Sequence, residues 1–425
     1  MKKLLILSYY FPPLGLGGTQ RIAKFVKYLP QFGWQPTVVT VKPIAYWAQD
    51  QSLAQDVAAA RVVRTESWDP QRLLARLGRS ELQVSRQADA GLFSVINRKI
   101  IPRILLPDSK ILWASQALHQ IRRLFKEESF DALMTTSPPH STHLIGLKIA
   151  KRFRLPWLAD FRDGWAGSHV VNEPSLRCFR RNLKMQNAVV RAADAVLVCS
   201  PEIADSLHHE DGPSQKIFVM TNGFDPEDFV AETERDAEHF TLCYSGTINN
   251  WAKPQPFLQA LQLAVNMRPS WAHKLRVVFV GLDTLGELAA WVERLGLLPM
   301  VQMLGHRPHI EAVRHLQRAD GLLLLVQARA TDSFIPGKTF EYIGARKPIF
   351  AVSNSRSTNE LLKEYRHARV VDGDRPEIIA ERLLEFLDAK WPPFDETFIS
   401  RFERRRQTEQ LAKILDALLQ KVRVE

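Results

Sequence analysis

The sequence predicts two doubly wound α/β domains, each built on a parallel sheet with helices on both faces. Short apolar strands alternate with amphipathic helices along most of the chain, a pattern typical of parallel sheets. The length of 425 residues exceeds what one hydrophobic core usually organises. A polar, acidic stretch at residues 223–238 interrupts the alternation. We therefore expect a first domain at residues 1–225, a second at 226–398 and a C-terminal helix at 399–425.

The first domain begins with a β–loop–α–β unit. An apolar strand at 2–8 ends in a glycine-bearing loop, and a helix with apolar positions at helical spacing follows at 19–29. Gly33 ends this helix before a strand at 36–41. The alternation then continues with helices at 115–128, 141–153 and 176–192, and strands at 132–136, 156–161, 195–199 and 216–221.

The second domain restarts the same alternation. Strands are expected at 240–244, 275–280, 301–304, 321–326, 348–352 and 368–371, and helices at 254–266, 285–295, 310–319, 338–345, 358–364 and 376–387. A charged helix follows at about 399–424. Ligands of such folds bind at the carboxyl ends of the strands, so we expect a cleft there, lined by the loops that follow the strands.

Composition excludes several classes of protein. The hydrophobic fraction of 45% argues against a disordered chain. Cys178, Cys199 and Cys243 lack paired spacing, which argues against a disulfide framework or a cysteine-based zinc site and favours a cytoplasmic location. Every apolar run is far shorter than the roughly 20 residues that span a bilayer.

The net charge of +11 is concentrated in the first half of the chain. Residues 1–225 contain 30 Lys+Arg and 19 Asp+Glu, whereas residues 226–425 contain 27 of each. Such a field attracts nucleic acid, an anionic membrane or an anionic substrate, or only keeps a domain soluble. Within residues 96–106, apolar residues alternate with Arg98, Lys99 and Arg103. This segment suits docking on an anionic leaflet, or it is a helix that covers the sheet.

Three loops contain residues suited to binding a phosphorylated ligand. Gly15-Leu-Gly-Gly18 precedes a helix, so its amides either hold a phosphate or form a tight turn. Lys253 follows the loop 245–247 and is either a point charge for a diphosphate or a solvated lysine. Glu341 lies in the first turns of a helix after Pro336-Gly337. It can accept hydrogen bonds from a vicinal diol, or it simply suits an early helical turn.

The stretch from Thr331 to Ala351 resembles the nucleotide-sugar signature of retaining GT-B glycosyltransferases, particularly family 4. Five motifs extend this resemblance over almost the whole chain: Tyr9-Tyr-Phe-Pro-Pro with Gly-Gly18, Leu158-Ala-Asp-Phe-Arg-Asp163, Asn222-Gly-Phe-Asp225, Tyr244-Ser-Gly246 and Pro336-Gly-Lys-Thr-Phe-Glu-Tyr342. The resemblance implies the GT-B fold, with two Rossmann-like domains facing a central cleft and a C-terminal helix packed on the first domain. It also implies transfer of a sugar from a nucleotide sugar to an acceptor hydroxyl, with retention, in the synthesis of bacterial surface glycans.

The resemblance assigns residues to the donor. Gly17 and Gly18 match the loop whose amides approach the diphosphate, Lys253 matches its cation, and Glu341 matches the residue that holds the ribose hydroxyls. The remaining donor contacts that we expect are Thr247, Arg307 beside the base, Ser333, Phe334, Gly337 and Lys338.

Three positions depart from the family pattern. Ser333 stands where a first glutamate is usual, Thr247 replaces an arginine, and Arg162-Asp163 replaces His-Asp. We predict that Arg162 stabilises an anion and that Asp163 orients the acceptor hydroxyl, although Asp163 also suits an ion pair with Arg162 or a turn cap. These departures make a non-catalytic sugar-nucleotide-binding or scaffold protein the alternative, and an epimerase of the same fold is a further one.

The remaining predictions concern the acceptor, metals and location. His140 either lines the acceptor cleft or is a structural residue at a helix start. Asp372-Gly-Asp374 resembles a metal-binding DxD motif, but turn and cap chemistry explain it more simply, so we expect no essential metal or cofactor. We expect a lipid-linked or glycan acceptor, peripheral binding to an anionic membrane and no nucleic-acid partner, because no nucleic-acid-binding module is present.

Overall fold

The computed structural model describes residues 1–15, 17–43, 50–70, 72, 101–168, 171, 173–207, 216–229, 236–327, 334–371 and 373–424. The chain forms two compact units. The first unit comprises Met1–Thr221 and Arg405–Glu425, and the second comprises Asn222–Arg404. Within these described ranges, no helix is both long enough and apolar enough to cross a membrane.

The first unit is built on a seven-stranded parallel sheet. Its elements are β1 (Lys2–Leu7), α1 (Gly17–Tyr28), β2 (Trp34–Val41), α2 (Gln51–Asp56), β3 (Arg61–Thr65), α3 (Ile101–Ile104), α4 (Ala114–Glu127), β4 (Ala132–Ser137), α5 (Ser141–Phe153), β5 (Trp157–Phe161), α6 (Leu176–Ala192), β6 (Ala195–Val198), α7 (Pro201–Leu207) and β7 (Ile217–Val219). The strand order is β3-β2-β1-β4-β5-β6-β7. The order reverses direction beside β1, so the loops after β1 and β4 flank the switch point where α/β proteins bind ligands.

The second unit is built on a six-stranded parallel sheet. Its elements are β8 (Phe240–Ser245), α8 (Gln255–Met267), β9 (Leu275–Val280), α9 (Leu288–Arg294), β10 (Val301–Gly305), α10 (His309–Arg318), β11 (Gly321–Val326), α11 (Gly337–Gly344), β12 (Ile349–Ser353), α12 (Arg356–Glu364), β13 (Ala368–Val371), α13 (Pro376–Leu387) and α14 (Glu396–Ser400); the last helix, α15, is Arg404–Val424. The strand order is β10-β9-β8-β11-β12-β13. The switch point here lies between the loops after β8 and β11. The predicted fold class of two doubly wound α/β domains is therefore confirmed.

Helix α15 packs against the first unit. Leu411, Leu415 and Leu418 recur at helical spacing and join the apolar cluster that contains Phe25 and Trp34. The single helix expected at about 399–424 is instead two helices, α14 and α15. The break at residues 401–403 includes Phe402, which is buried in a core cluster of the second unit. The chain therefore turns where it leaves one core and enters the other.

The division between the units differs by a few residues from the boundaries predicted after residues 225 and 398. Phe224 is buried and packs against Gly344 of the second unit. Its N–H donates to the carbonyl of Phe402 at 3.0 Å, and its carbonyl accepts from the N–H of Arg404 at 2.8 Å. Because of these contacts, the residues at which the chain enters and leaves the second unit belong to that unit.

Three described elements are missing from the sequence prediction: β3, α2 and α7. Strand β3 reads RVVRT, and only its last residue is buried because it is the edge strand of its sheet. The helix expected at 285–295 begins later, at Leu288, because the Asp283 carboxylate accepts hydrogen bonds from the N–H groups of Leu285, Gly286 and Leu288. These bonds form a turn that precedes the helix.

Candidate functional site

The loop after β1 is anchored by buried polar groups. The Tyr9 hydroxyl and the Lys110 ammonium both donate to the carboxylate of Asp69, the latter at 2.9 Å. Burial disfavours the charged form of Asp69, but Lys110 and the Tyr9 hydroxyl outweigh it and hold the pKa of this carboxyl below its usual value. The Thr19 hydroxyl donates to the carbonyl of Leu14 at 2.7 Å and closes the loop onto α1.

Arg162 reaches this loop from the carboxyl end of β5. Its guanidinium donates to the carbonyl of Gly18. A Cβ at position 18 would lie 2.8 Å from both Arg162 Nη atoms. Glycine is therefore what allows the arginine to cover the start of α1, and the structure brings together two of the residues predicted to face the diphosphate.

A buried ion pair lies below this contact. Arg21 on α1 and Asp160 on β5 are almost fully buried, with an Nη2–Oδ1 distance of 2.9 Å. The other terminal nitrogen of Arg21 donates to the carbonyls of Met220 and Thr221 at 2.9 and 2.8 Å. The Thr136 hydroxyl donates to Asp160 at 2.8 Å. Arg21 thus links α1 to β5 and to residues 220–221, where the chain leaves the first unit.

His140 lies in the loop after β4 and is buried, 3% exposed. Its ring stacks on Trp165, with 4.9 Å between the ring centres, and it interacts with the backbone of Gly164. Burial lowers the pKa of His140 and of His143 to about 3, so both are neutral near pH 7. Asp163 is partly exposed and, within the described part of the chain, has no ion-pair partner, so the predicted pair with Arg162 is absent.

The loop after β8 is organised by side chains from α11. The Lys338 ammonium lies 4.0 Å from the centre of the Tyr244 ring and donates to its hydroxyl at 2.6 Å. A Cβ on Gly246, whose φ is 136°, would lie 2.7 Å from Lys338 Nζ. Burial lowers the pKa of Lys338 to about 7, although the charge of Glu341 opposes this shift. The buried hydroxyl of Tyr342 accepts from the Ser245 N–H at 2.7 Å.

Glu341 lies one turn beyond Lys338 on the same helix. Its Oε1 is 3.8 Å from Nδ1 of His309, the first residue of α10, and His309 Nε2 is 3.3 Å from Oδ2 of Asp228. The Glu341 side chain is only 16% exposed. His309 therefore lies within ion-pair distance of the Glu341 carboxylate but does not hydrogen-bond to it.

Lys253 lines a groove of about 580 Å³ beside this cluster. Asp374, Asn354 and Trp251 line the same groove, whereas Lys338 and Glu341 do not. The Lys253 N–H donates to the side chain of Gln327 at 3.0 Å, while its own side chain is exposed. The structure therefore groups Lys338, and not Lys253, with Glu341.

Several other predicted contacts have clear positions. The Thr247 carbonyl accepts from the Tyr244 hydroxyl at 2.9 Å. The Phe334 ring packs edge-on against Trp251 at 5.7 Å, and the hydroxyls of Ser355 and Thr358 donate to the Phe334 carbonyl at 2.7 Å.

Gly17 and Gly337 are the first residues of α1 and α11. The side chains of Arg103 and Arg307 are exposed. Arg98, Lys99, Ser333 and Asp372 lie outside the described residues. In the described ranges, no group of three or more His, Cys, Asp or Glu side chains is placed to hold a metal ion.

The sequence did not predict three contacts of the candidate site: Arg21 with Asp160, Tyr342 with Ser245, and His309 with Glu341. Asp160 carries a visible signal, because an acidic residue within the apolar strand WLADF must find a buried partner. No comparable local signal identifies His309, since its partner is remote in sequence.

Comparison with known proteins agrees with this architecture. Residues 17–223 match the family described as the glycosyl transferase 4-like domain. A search of the curated proteins finds no match. The solved structure of Anabaena HepE with UDP-glucose superposes with a TM-score of 0.60 at 14% identity, over 100% of both chains.

Two further structures share the fold. A glycosyltransferase from Rickettsia africae has a TM-score of 0.59 at 12% identity, covering 99% of this chain and 96% of its own. A putative UDP-N-acetylglucosamine 2-epimerase from Listeria monocytogenes has a TM-score of 0.58 at 13% identity, covering 97% and 95%. Identities this low establish the fold alone, and the fold includes both transferases and epimerases. Residues 17–223 therefore match a glycosyl transferase 4-like domain, and the two-domain fold is one that a solved glycosyltransferase shares.

Proposed function

We propose that the protein transfers a sugar from a nucleotide-sugar donor to an acceptor hydroxyl, with retention of the anomeric configuration. One observation carries this proposal: Lys338 lies at the amino end of α11 against Gly246, which follows β8, and Glu341 lies one turn later on the same helix. A cation, a helix amino end and a partly buried carboxylate form a set suited to a ribose diphosphate.

The second unit is proposed to bind the donor. Glu341, which lies 3.8 Å from His309, accepts hydrogen bonds from the ribose hydroxyls. Lys338 and the amide of Gly337 face the diphosphate and sugar, whereas the Phe334 N–H donates to the Ser355 hydroxyl at 3.3 Å. The complex of HepE with UDP-glucose supports a nucleotide-sugar donor for this fold. Lys253, Thr247, Arg307 and Ser333 remain proposed donor contacts from the motif match.

The first unit is proposed to contribute charge stabilisation and acceptor contacts. The amides of Gly17 and Gly18 approach the diphosphate, and Arg162 stabilises negative charge as it departs. Asp163, which has no described ion-pair partner, orients the acceptor hydroxyl. His140 is neutral, so it acts only as a hydrogen-bonding group in the acceptor site.

We propose a lipid-linked or glycan acceptor and a role in bacterial cell-surface glycan synthesis. The concentration of basic residues in the first half of the chain supports an anionic acceptor presented at the inner face of the cell membrane. Arg98, Lys99 and Arg103 are part of this basic region. We also propose that catalysis needs no metal, since cations and amides supply the charge stabilisation, and that the protein has no nucleic-acid partner.

A thermal-shift screen of UDP-, GDP- and ADP-sugars tests the donor. We expect one nucleotide class to stabilise the protein and Glu341→Gln to abolish that shift. Glu311→Gln, an exposed carboxylate on α10, is the matched control and should retain it. Equal shifts with both variants would contradict the role of Glu341.

Product analysis then separates the alternatives. We expect release of nucleoside diphosphate in the presence of acceptor, an unchanged anomeric configuration in the product, and full activity in EDTA. Binding without release would identify a non-catalytic sugar-nucleotide-binding protein. Conversion of the nucleotide sugar to its epimer without an acceptor would identify an epimerase.

A further inference from the structure

Helix α6 of the first unit presents one continuous basic face. Its 17 residues include five Arg or Lys and no Asp or Glu. All five are exposed and, at 3.6 residues per turn, they fall within an arc of about 100°: Arg177, Arg180, Arg181, Lys184 and Arg191. Within the described part of the chain, none of them forms an ion pair.

The stability of the helix does not explain this charge. Arg177, Arg180 and Arg181 lie in the first two turns of α6, where the helix dipole disfavours positive charge. In α4 and α5, by contrast, Lys126 and Arg152 lie in the last turn, where the dipole favours them. The cations at the start of α6 therefore gain nothing from the helix dipole, and they are available to an external anionic partner.

Exposed apolar side chains lie beside the basic face. Leu176, the first residue of α6, is 63% exposed, and Ile104 on α3 is 71% exposed. Arg103 joins the two helices, since its Nη2 donates to the carbonyl of Pro174 at 3.5 Å. Cations next to exposed aliphatic side chains are typical of surfaces that enter the headgroup layer of a membrane.

We propose that the basic face of α6, together with Arg103, Ile104 and Leu176, docks the first unit on a bilayer that contains anionic lipids. The inference rests on the proposed function, because docking serves a lipid-linked acceptor. The occupant is a lipid surface and not a nucleic acid, since the patch combines aliphatic side chains with cations and has no exposed aromatic ring for stacking on bases among the residues that form it.

The buried side of α6 connects the docking face to the candidate site. The Gln186 side chain accepts from the Ala166 N–H at 2.9 Å. Glu173 accepts from Asn182 at 2.8 Å and from the Gly167 N–H at 3.0 Å. Both contacts tie α6 to the loop that follows Arg162 and Asp163. Because α6 begins at the carboxyl edge of the sheet, docking holds this loop near the headgroups.

Vesicle sedimentation without donor tests the proposal. The variant combines Arg177→Glu, Arg180→Glu and Lys184→Glu. The matched control combines Arg122→Glu, Arg123→Glu and Lys126→Glu on α4, an equal charge change at exposed residues of the same unit. Each cation contributes about fivefold to binding, so the α6 variant should bind vesicles with about 30 mol% phosphatidylglycerol at least about 100-fold more weakly. The control should stay within about threefold of the unsubstituted protein.

A second variant tests the apolar part. Leu176→Ser keeps every charge and should weaken binding about 50-fold, because about three methylenes leave the bilayer. Equal losses in the α6 variant and the control, unchanged binding of the α6 variant, or equal binding to pure phosphatidylcholine would overturn the proposal. So would tighter binding to random single-stranded RNA than to vesicles. Nucleotide-sugar thermal shifts should be the same in all variants, so failure of the donor assay and failure of docking are distinguishable.

Discussion

Each unit places a basic side chain against a glycine near the end of its first strand, but the two units use different residues. In each, the segment that follows the first strand contains a glycine whose Cβ position is blocked by a basic side chain, Arg162 at Gly18 and Lys338 at Gly246. Arg162 comes from the end of β5 and bonds a backbone carbonyl. Lys338 comes from the start of α11 and bonds the Tyr244 hydroxyl.

Because of this difference, we expect Arg162 to act in charge stabilisation during turnover and Lys338 to act in donor binding. The guanidinium of Arg162 keeps its charge at any physiological pH and presents a planar set of donors. Burial brings the pKa of Lys338 to about 7, so its charge depends on what binds beside it. A diphosphate would raise that pKa again by stabilising the ammonium.

The supporting layers also differ. In the first unit the site rests on the buried ion pair of Arg21 with Asp160. In the second it rests on the neutral hydroxyl of Tyr342, which also donates to the carbonyls of Ser245 and Leu323. A buried ion pair is far more sensitive to loss of one partner than a hydrogen bond between neutral groups.

The largest expected effect is on stability. Arg21→Met should lower the free energy of unfolding of the first unit by about 3–5 kcal/mol, because it leaves Asp160 charged and unpaired in the core. Tyr342→Phe should cost the second unit about 1–3 kcal/mol. Urea unfolding, with hydrogen exchange to assign each transition to a unit, measures both values. Adding Asp160→Leu to Arg21→Met should restore most of the loss; no restoration would show that Arg21 acts through its carbonyl contacts instead.

The next largest effect is on turnover. Lys338→Met and Arg162→Met should each lower kcat/KM by about 100- to 1,000-fold, the usual cost of removing a group that stabilises developing charge. The two should differ in where the loss falls. We expect Lys338→Met to weaken donor binding in calorimetry and Arg162→Met to lower kcat with donor affinity nearly unchanged. Equal losses of donor affinity would remove the distinction between the two cations.

The sequence predicts the buried elements of both units better than it predicts the site. Strands β9 and β11 and helix α6 have the expected bounds, because apolar runs and helical spacing are local signals. Strand β3 is missed because an edge strand can carry charges.

Site residues are likewise predictable only where a local motif identifies them. Gly18 and Glu341 could be proposed from motifs, yet the pairing of Lys338 with Gly246 could not, since it depends on how a helix packs beside a remote loop. The sequence favoured Lys253 as the main diphosphate cation, which stays a prediction, and we propose Lys338 beside it because Lys338 packs against Gly246.

Acid should destabilise the first unit through its two buried histidines. Their pKa is about 3 in the folded protein and about 6.5 when unfolded, so the unfolded chain binds more protons between these values. Stability is therefore complete above about pH 6.5 and decreases as the pH falls, by about 2 kcal/mol per histidine at pH 5. His140→Phe keeps the stacking on Trp165, and His143→Asn keeps a polar atom near Thr135, so this double variant should lose the acid sensitivity. His119→Gln, at an exposed position, should keep the acid sensitivity of the unsubstituted protein. Loss of that sensitivity in His119→Gln would show that the two buried histidines do not cause it.

The smallest and most discriminating effect concerns the pH dependence of donor binding. Because Lys338 loses its proton as the pH rises through about 7, the affinity for a nucleotide sugar should fall about tenfold between about pH 6 and pH 8. Lys338→Arg keeps the charge over this range and should give a flat profile, whereas Lys253→Arg should retain the tenfold fall. Calorimetry in buffers of different ionisation enthalpy measures the affinities and the proton uptake near pH 8 that accompanies binding to a neutral lysine. A flat profile in the unsubstituted protein would mean that Lys338 is not in contact with the diphosphate, and the cation of the second unit would then have to be sought in the groove that contains Lys253.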